Sequence, residues 1–436
     1  MTQQSTVRLR RRQVLSWALW DWGSASFNAV IVTFVFSVYL TSAVAPDEDS
    51  GSRALGLALG IAGVAIALLA PVIGARADRG GRRRRWLAVN TAVVVAATAG
   101  LFAVEDDPSY LLLGLVLIAV GSVFFEFAAV NYNAMLLQLA PPERLGRVSG
   151  FGWGMGYFGG VVALAIVLVA FVAPEVGLFG VTTEDGLNIR VVALFCALWF
   201  GLFALPVLLF VPEAPSAPAT QRLGVFASYR ALFARIARMW RQERSTLHFL
   251  LASAVYRDGL AAVFTFGGIL AAGTFGFSQQ EVIVFALAAN VVAGLGCVLA
   301  GPLDDRLGPK TVVVAALVAI CLAGILLLAS TAKAAFWVGG LIVSCFVGPV
   351  QSASRSLLAR LIPSGQEGET FGLYATTGRA VSFVGPLAFS GSIALFGAQR
   401  WGLIGILVVL AAGLILVLPL RAPPGATAAR PASHHV

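Results

Sequence analysis

Long apolar runs alternate with short charged breaks along almost the whole chain. A membrane helix needs about 20 apolar residues to cross roughly 30 Å of hydrocarbon. Twelve runs meet that length: 15–42, 54–77, 86–104, 109–138, 149–173 and 190–211, then 247–274, 280–301, 311–330, 335–361, 373–396 and 401–420. Numbered as spans one to twelve, they predict an all-α membrane protein. An even number of spans puts both termini on one side. Between spans six and seven the texture changes. "PEAPSAPATQ" (Pro212 to Gln221) reads as a Pro/Ala linker. After it Val225, Phe226, Tyr229, Leu232, Phe233, Ile236, Met239 and Trp240 recur at helical spacing, with Arg230, Arg238 and Arg241 off that face. That pattern predicts an amphipathic helix, either lying on the inner leaflet or packed on the cytoplasmic ends of the bundle. The expected organisation is a six-helix bundle over 1–211, a cytoplasmic linker with its helix over 212–246, and a second six-helix bundle with a short tail over 247–436.

Composition excludes a soluble fold. Of 436 residues 58% are hydrophobic and 12% charged, where a soluble domain carries about 25% charged residues. The N-terminus is basic (Arg8, Arg10, Arg11, Arg12), but the apolar run after it is too long for a signal-peptide core. A net charge of +9 raises the question of nucleic acid. The distribution answers it: 23 of the 30 Lys and Arg fall in segments on one side of the membrane. The opposite loops hold Arg53, Arg190, Lys333 and Arg400, together with acidic clusters at Asp47 to Asp49 and Glu105 to Asp107. Positive charge stays inside, so both termini are expected in the cytoplasm of a cell-membrane protein, facing anionic lipid. No nucleic-acid partner is expected. The four cysteines (Cys196, Cys297, Cys321, Cys345) are singletons in apolar runs, which gives neither a metal site nor a disulfide framework. P-loop, HExxH and GxSxG motifs are missing, and of the histidines only His248 lies near a membrane edge. The chain is therefore read as no ATP-driven pump and no enzyme, without cofactor or metal, and as a monomer.

Two loops repeat. "GARADRGGRRRR" (Gly74 to Arg85) and "GPLDDRLGPK" (Gly301 to Lys310) each follow the second span of a six-span half. They share the template G-x-x-x-D-R-x-G-x-[RK]: Gly74, Asp78, Arg79, Gly81 and Arg83, then Gly301, Asp305, Arg306, Gly308 and Lys310. The chain is one six-helix unit used twice. This doubled arrangement resembles the major facilitator superfamily, and the loops resemble that superfamily's signature loop. The resemblance implies a latch, in which the aspartate engages a neighbouring helix end and an arginine; Asp78 and Arg79 take that role here. The alternative is a charge cluster that sets topology and switches nothing.

Four segments narrow the family: "WALWDWGSASFNAVIVTFVF" (Trp17 to Phe36), "APPERLGRVSGFGWGMGYFGG" (Ala140 to Gly160), "YRDG" (Tyr256 to Gly259) and "VQSASRSLLARLIPSGQEGETFGLYATTGRAVSFVGP" (Val350 to Pro386). They resemble the vacuole-effluxer branch, whose named eukaryotic members are autophagy-associated and export amino acids from the vacuole. The resemblance implies a secondary transporter of a small polar solute, an amino acid by similarity, working by alternating access. Export from the cytoplasm and proton coupling are added expectations. The other readings weighed are a drug/proton antiporter of the same fold, a sensor or scaffold without flux, and a membrane enzyme acting on lipids or peptides.

An ionisable residue in hydrocarbon costs roughly 2.5–3.5 kcal/mol on insertion scales. Six stand out: Asp21, Glu126, Arg257, Asp258, Arg355 and Arg379. The repeat matches Asp21 with Asp258, each followed six residues on by Phe27 or Phe264. Such a pair could carry a proton or hold a cationic group, or Asp258 could form a structural ion pair with an arginine on another helix. Arg257 points about 100° away and is not that partner. Matching Leu139 and Pro141 to Leu361 and Pro363 sets Asn133 opposite Arg355. Glu126 and Arg355 could then bind the two ends of a zwitterion, or form a salt bridge that closes the cavity. Asn28, Asn131, Asn133, Asn290 and Gln351 complete the expected polar pathway. Trp17, Trp20 and Trp22 are read as an interfacial aromatic belt rather than as a substrate platform. In span five Gly152, Gly156 and Gly160 share a face, allowing close helix contact. This run is similar to the glycine motif of proton-coupled antiporters, but that motif's proline is missing, with Tyr157 after Gly156.

Overall fold

The computed structural model describes residues 3–213, 225–363 and 365–421. Within them the chain is entirely helical. Twelve helices are long and apolar enough to cross a membrane. Spans one to six are Arg11–Val44, Glu48–Gly80, Arg83–Ala103, Pro108–Leu139, Pro142–Val172 and Glu184–Phe210. Spans seven to twelve are Arg244–Gly273, Glu281–Leu307, Pro309–Ala329, Lys333–Leu361, Glu367–Phe396 and Gln399–Val417. Several helices overrun their apolar runs, span two by a turn or more at its start. A helix satisfies its own backbone and can continue past hydrocarbon, whereas apolar periodicity marks only the lipid-embedded part. The linker from residue 214 to 221 and the side chains of Arg8, Arg10, Val225 and Phe226 lie outside the described residues.

The acidic clusters do local work at helix starts. Asp47 caps span two, accepting from the Ser50 amide at 2.9 Å, with Glu48 and Asp49 in the first turn. Acceptor side chains there satisfy orphan amides and oppose the helix dipole. Asp107 accepts from the Ser109 amide at 2.8 Å before span four. These bonds hold both carboxyls below the usual carboxylate range. Ser278 and Glu281 form a capping box on span eight.

Spans one and eleven depart furthest from a plain α-helix, while span five ends in a π-helical stretch over Leu168–Val172 and span four is interrupted at Met135. Span one is α-helical to Ser26, then π-helical over Phe27–Phe34, and π-helical again over Leu40–Val44. Span eleven is two segments, Glu367–Val381 and Val384–Phe396.

Contacts divide the chain into two units. The first holds Met1–Met135 and Met155–Thr220; the second holds Leu136–Gly154 and Gln221–Val436. In the first unit span one packs on span six, two on four, three on four, and three on six. In the second, span seven packs on twelve, eight on ten, nine on ten, and nine on twelve. Adding six to each number of the first set gives the second, so the duplication read from the loops extends to the packing of whole helices. With no hydrophobic drive between helices in lipid, close approach sets that packing. A Cβ on Gly150 of span five would lie 2.3 Å from the Cys297 carbonyl oxygen of span eight.

Candidate functional site

In the first unit Asp21 anchors a buried polar and aromatic cluster. Its Oδ2 accepts from the Tyr132 hydroxyl of span four at 2.8 Å. The Tyr132 ring lies between Trp17 and Trp20, with both centroid distances 4.4 Å and interplanar angles of 5° and 25°. The Trp17 indole donates to the Tyr132 carbonyl at 3.0 Å, and the Trp20 indole to Thr91 Oγ1 at 3.1 Å. Trp17 and Trp20 are buried, which corrects the expectation of an interfacial belt. Three residues apart, they share a face turned into the unit, and each N–H finds an acceptor there, so neither needs the wet interface. Trp22 lies off that face, half-buried against Trp199 and Phe203. Gly156 and Gly160 of span five do look onto span one: a Cβ on Gly156 would sit 3.7 Å from Asp21, and one on Gly160 would sit 3.5 Å from Ala25.

Span four carries three more expected residues. Glu126 and Asn133 are seven residues apart, share one face and are half-buried. Asn131 lies on another face and is fully buried. Its Nδ2 donates to the Phe127 carbonyl at 2.8 Å, while its Oδ1 has no partner among the described residues. Asn131 therefore belongs to the packing of the unit. Asn28 is exposed at the start of the π-helical stretch of span one, where Thr33 Oγ1 donates to its carbonyl at 2.7 Å. Such π-turns in helices are frequent at functional sites.

In the second unit Asp258 stands halfway along span seven and is buried. Its Oδ2 accepts from the Gly385 amide at 2.5 Å. Gly385 is the second residue of the second segment of span eleven. Asp258 is thus an N-terminal cap supplied by a different helix, at the break in span eleven. It satisfies an amide that the break would leave orphaned in lipid. Asp258 has no ion-pair partner among the described residues. Arg257 turns the other way, as expected: its Nη1 donates to the Tyr374 carbonyl at 3.1 Å and its guanidinium lies 3.8 Å from the Tyr374 ring centroid. Arg379 is exposed in the last turn before the break, and its carbonyl accepts from Ser382 Oγ at 2.9 Å. Broken helices at membrane depth are where transporters present polar backbone to a substrate or ion.

Arg355 is held differently from the zwitterion scheme. It is buried, with Nε donating to Ser149 Oγ at 2.9 Å and Nη2 to the Ser149 carbonyl at 2.6 Å. Ser149 in turn donates to the Ser352 carbonyl at 2.7 Å. The guanidinium clamps the start of span five to span ten. Asn290 is half-buried and returns its Nδ2 to the Ala286 carbonyl at 2.8 Å. Gln351 is half-buried one turn from Arg355.

The repeated loops differ in their partners. In the first, Arg83 Nε and Nη2 both donate to Asp78 Oδ1, at 3.0 and 2.7 Å. Arg79 has no ion-pair partner among the described residues, so the arginine on Asp78 is Arg83, four residues further along the template. Gly74 is buried, and Gly81 makes the turn at φ 57°, a conformation that favours glycine. In the second loop Asp305 accepts from the amides of Gly146 and Arg147 at 2.8 and 3.1 Å and from Arg360 at 3.1 Å. That is a helix end and an arginine, the geometry the resemblance implies. Gly301 permits it, since a Cβ there would lie 2.9 Å from Arg147 Cα. Arg306 is exposed, Gly308 turns at φ 88°, and Lys310 donates to the Leu418 carbonyl at 2.7 Å.

Sequence reasoning missed three partners. Arg360 also donates to Asp304 at 2.7 Å, and Asp304 accepts from the Ser356 hydroxyl. The doublet "DD" was the available signal. Tyr132, between the two asparagines that were read, is the ligand of Asp21. Glu213 accepts from the amides of Arg84 and Arg85 at 2.9 and 3.2 Å, capping span three. Among the described residues no group of three His, Cys, Asp or Glu is placed to hold a metal.

Comparison with known proteins now bears on this geometry. The family model described as "Vacuole effluxer Atg22 like" matches residues 49–145 and 141–430. The uncharacterized MFS-type transporter YxiO of Bacillus subtilis is 26% identical over 413 residues, 93% of this chain and 94% of that protein. Autophagy-related protein 22-1 of Neosartorya fischeri is 26% identical over 300 residues, and autophagy-related protein 22 of Cryptococcus neoformans 28% over 291. These matches cover 63% and 61% of this chain but only 47% and 50% of the fungal proteins, so they span about half the relatives' length. Among solved structures, the proton:xylose symporter XylE superposes with a TM-score of 0.72 at 13% identity, covering 96% of each chain. The human organic anion transporter MFSD10 superposes with a TM-score of 0.73 at 17% identity, covering 94% of this chain and 99% of that one. The chain belongs to the vacuole effluxer Atg22-like family and is a multi-pass membrane transporter with the major facilitator fold, not an enzyme.

Proposed function

We propose that the protein exports a small polar solute of the amino-acid class across the cell membrane, by alternating access and coupled to protons, with both termini in the cytoplasm. One observation carries the reading: a lone carboxylate, Asp258, sits at mid-span on the amide of a broken helix. An ionisable group at that depth is costly, so its retention points to use. Protonation of Asp258 replaces the charge-assisted bond from Gly385 by a weaker neutral one, which couples a proton to the second segment of span eleven. Asp21, bonded by Tyr132, is the matching acid of the first unit. Glu126 and Asn133 offer acceptors for an ammonium group. Arg379 is the exposed guanidinium for a carboxylate, with Asn290 and Gln351 as further hydrogen-bonding groups. Asp305, and Asp78 with Arg83, are the conformational latches. The amino-acid cargo comes from the resemblance to the vacuole effluxers.

The test is flux. Purified protein in proteoliposomes is expected to move at least one member of a radiolabelled amino-acid panel, faster under an imposed proton gradient. Folded protein that moves none of the panel would remove the cargo class. Flux indifferent to the gradient would remove the coupling.

A further inference from the structure

Among the described residues one long helix is not a candidate span: Val225–Gln242. It uses one face to dock. Leu232, Arg235 and Met239 are buried, and Arg235 makes a two-point ion pair with Glu243, one bond at 2.6 Å, where the helix joins span seven. A second face has no cover. Phe233 is 67% exposed and Trp240 66% exposed. Seven residues apart, they lie within about 20° of each other on the helix, with Ala237 between them. Arg230 and Arg241 flank that strip on one side, with Arg238 beyond them, and all three are exposed. Arg244, also exposed, follows. The helix contains no acidic residue.

We propose that this second face is a docking surface for an anionic bilayer, with Phe233 and Trp240 inserted among acyl chains and Arg230, Arg238 and Arg241 on lipid phosphates. Charge complementarity selects the occupant. Aromatic side chains rimmed by cations on one helix face suit an anionic membrane interface. A soluble partner would have to supply an acidic rim and an apolar groove together. The docked face and the Arg235–Glu243 pair hold the helix against the second unit, so lipid engagement is felt at the start of span seven, the helix that carries Asp258. The inference does not depend on the cargo.

The experiment uses the full chain in nanodiscs of phosphatidylcholine alone, or with about one-third phosphatidylglycerol. Quenching by brominated lipid is read as the difference between wild type and Trp240→Phe. The expected result is Trp240-specific quenching in the phosphatidylglycerol discs that fades without the anionic lipid. Replacing Arg230, Arg238 and Arg241 by glutamine should abolish it, and replacement by lysine should preserve it. Native mass spectrometry should show phosphatidylglycerol retention falling roughly tenfold in the glutamine variant. Three results would each overturn the proposal: no Trp240-specific quenching, equal quenching in both lipids, or a dimer whose dissociation exposes Trp240.

Discussion

Asp258 shows how one carboxylate can be both structural and functional. Its bond to the Gly385 amide sits at the break in span eleven, so changes there must be separated by shape and by charge. Asp258→Asn keeps an oxygen that can accept from the amide but cannot lose or gain the proton. Its melting temperature in detergent should match wild type while flux loses its dependence on pH. Asp258→Ala removes the acceptor as well and should destabilise by about 1–3 kcal/mol, seen as a lower melting temperature. Unchanged proton dependence in the asparagine variant would leave Asp258 as a cap only. The candidate ionisable residues were legible because charge is rare in apolar runs. Their partners were not, because a backbone amide such as Gly385, or the carbonyl of Ser149 that accepts from Arg355, leaves no mark in a list of side chains. Trp17 and Trp20 misled for a related reason. Their position near the head of a span suits a belt, and only the location of Thr91 and the Tyr132 carbonyl reveals that their N–H groups are satisfied inside.

At the scale of elements, apolar run length found every span but missed their irregularities. The π-helical stretch Phe27–Phe34 and the break at residues 382–383 both lie inside runs apolar enough to read as continuous spans. Run length does not mark them; at the break it is a residue of another helix, Asp258, that takes the amide of Gly385. Span five is the element where small residues decide most. Gly146, Gly150 and Gly154 lie four apart on a face against span eight, a different face from Gly156 and Gly160. Gly150→Ala pushes a methyl into a backbone carbonyl that cannot rotate away, at 2.3 Å. The expected cost is about 1–3 kcal/mol or a shift of span five, measured as a lower midpoint of thermal unfolding in detergent. Gly80→Ala, where nothing lies within 4 Å, is the control and should change that midpoint little.

At the scale of the molecule, the two loops bear on orientation through their charge, and the prediction can be tested. Six arginines stand against one aspartate in Gly74 to Arg85, while Gly301 to Lys310 is balanced, and the turns at the other helix ends begin with acid clusters that also cap helices, as at Asp47 and Asp107. Capping explains why an acid stands at those helix starts but not why the excess arginine is confined to alternate turns, which are capped as well, by Glu213 and by the Asp305 network. Retention of basic loops during insertion does explain it. The turn after span two and the end of span twelve should therefore share the cytoplasmic face. A green fluorescent protein joined after Arg421 should fluoresce, since it folds in the cytoplasm. Alkaline phosphatase joined after Asp106, between spans three and four, should be active, since it needs the oxidising exterior. The same phosphatase joined after Arg85 should be silent. Replacing Arg82, Arg84 and Arg85 by glutamine tests the cause: if those charges hold the turn inside, the silent fusion should gain measurable activity. The three residues were chosen to spare Arg83, whose removal would uncover Asp78 and confuse loss of orientation with loss of the buried pair. An active phosphatase after Arg85 in the unaltered chain would invert the topology, and with it the direction of transport proposed above.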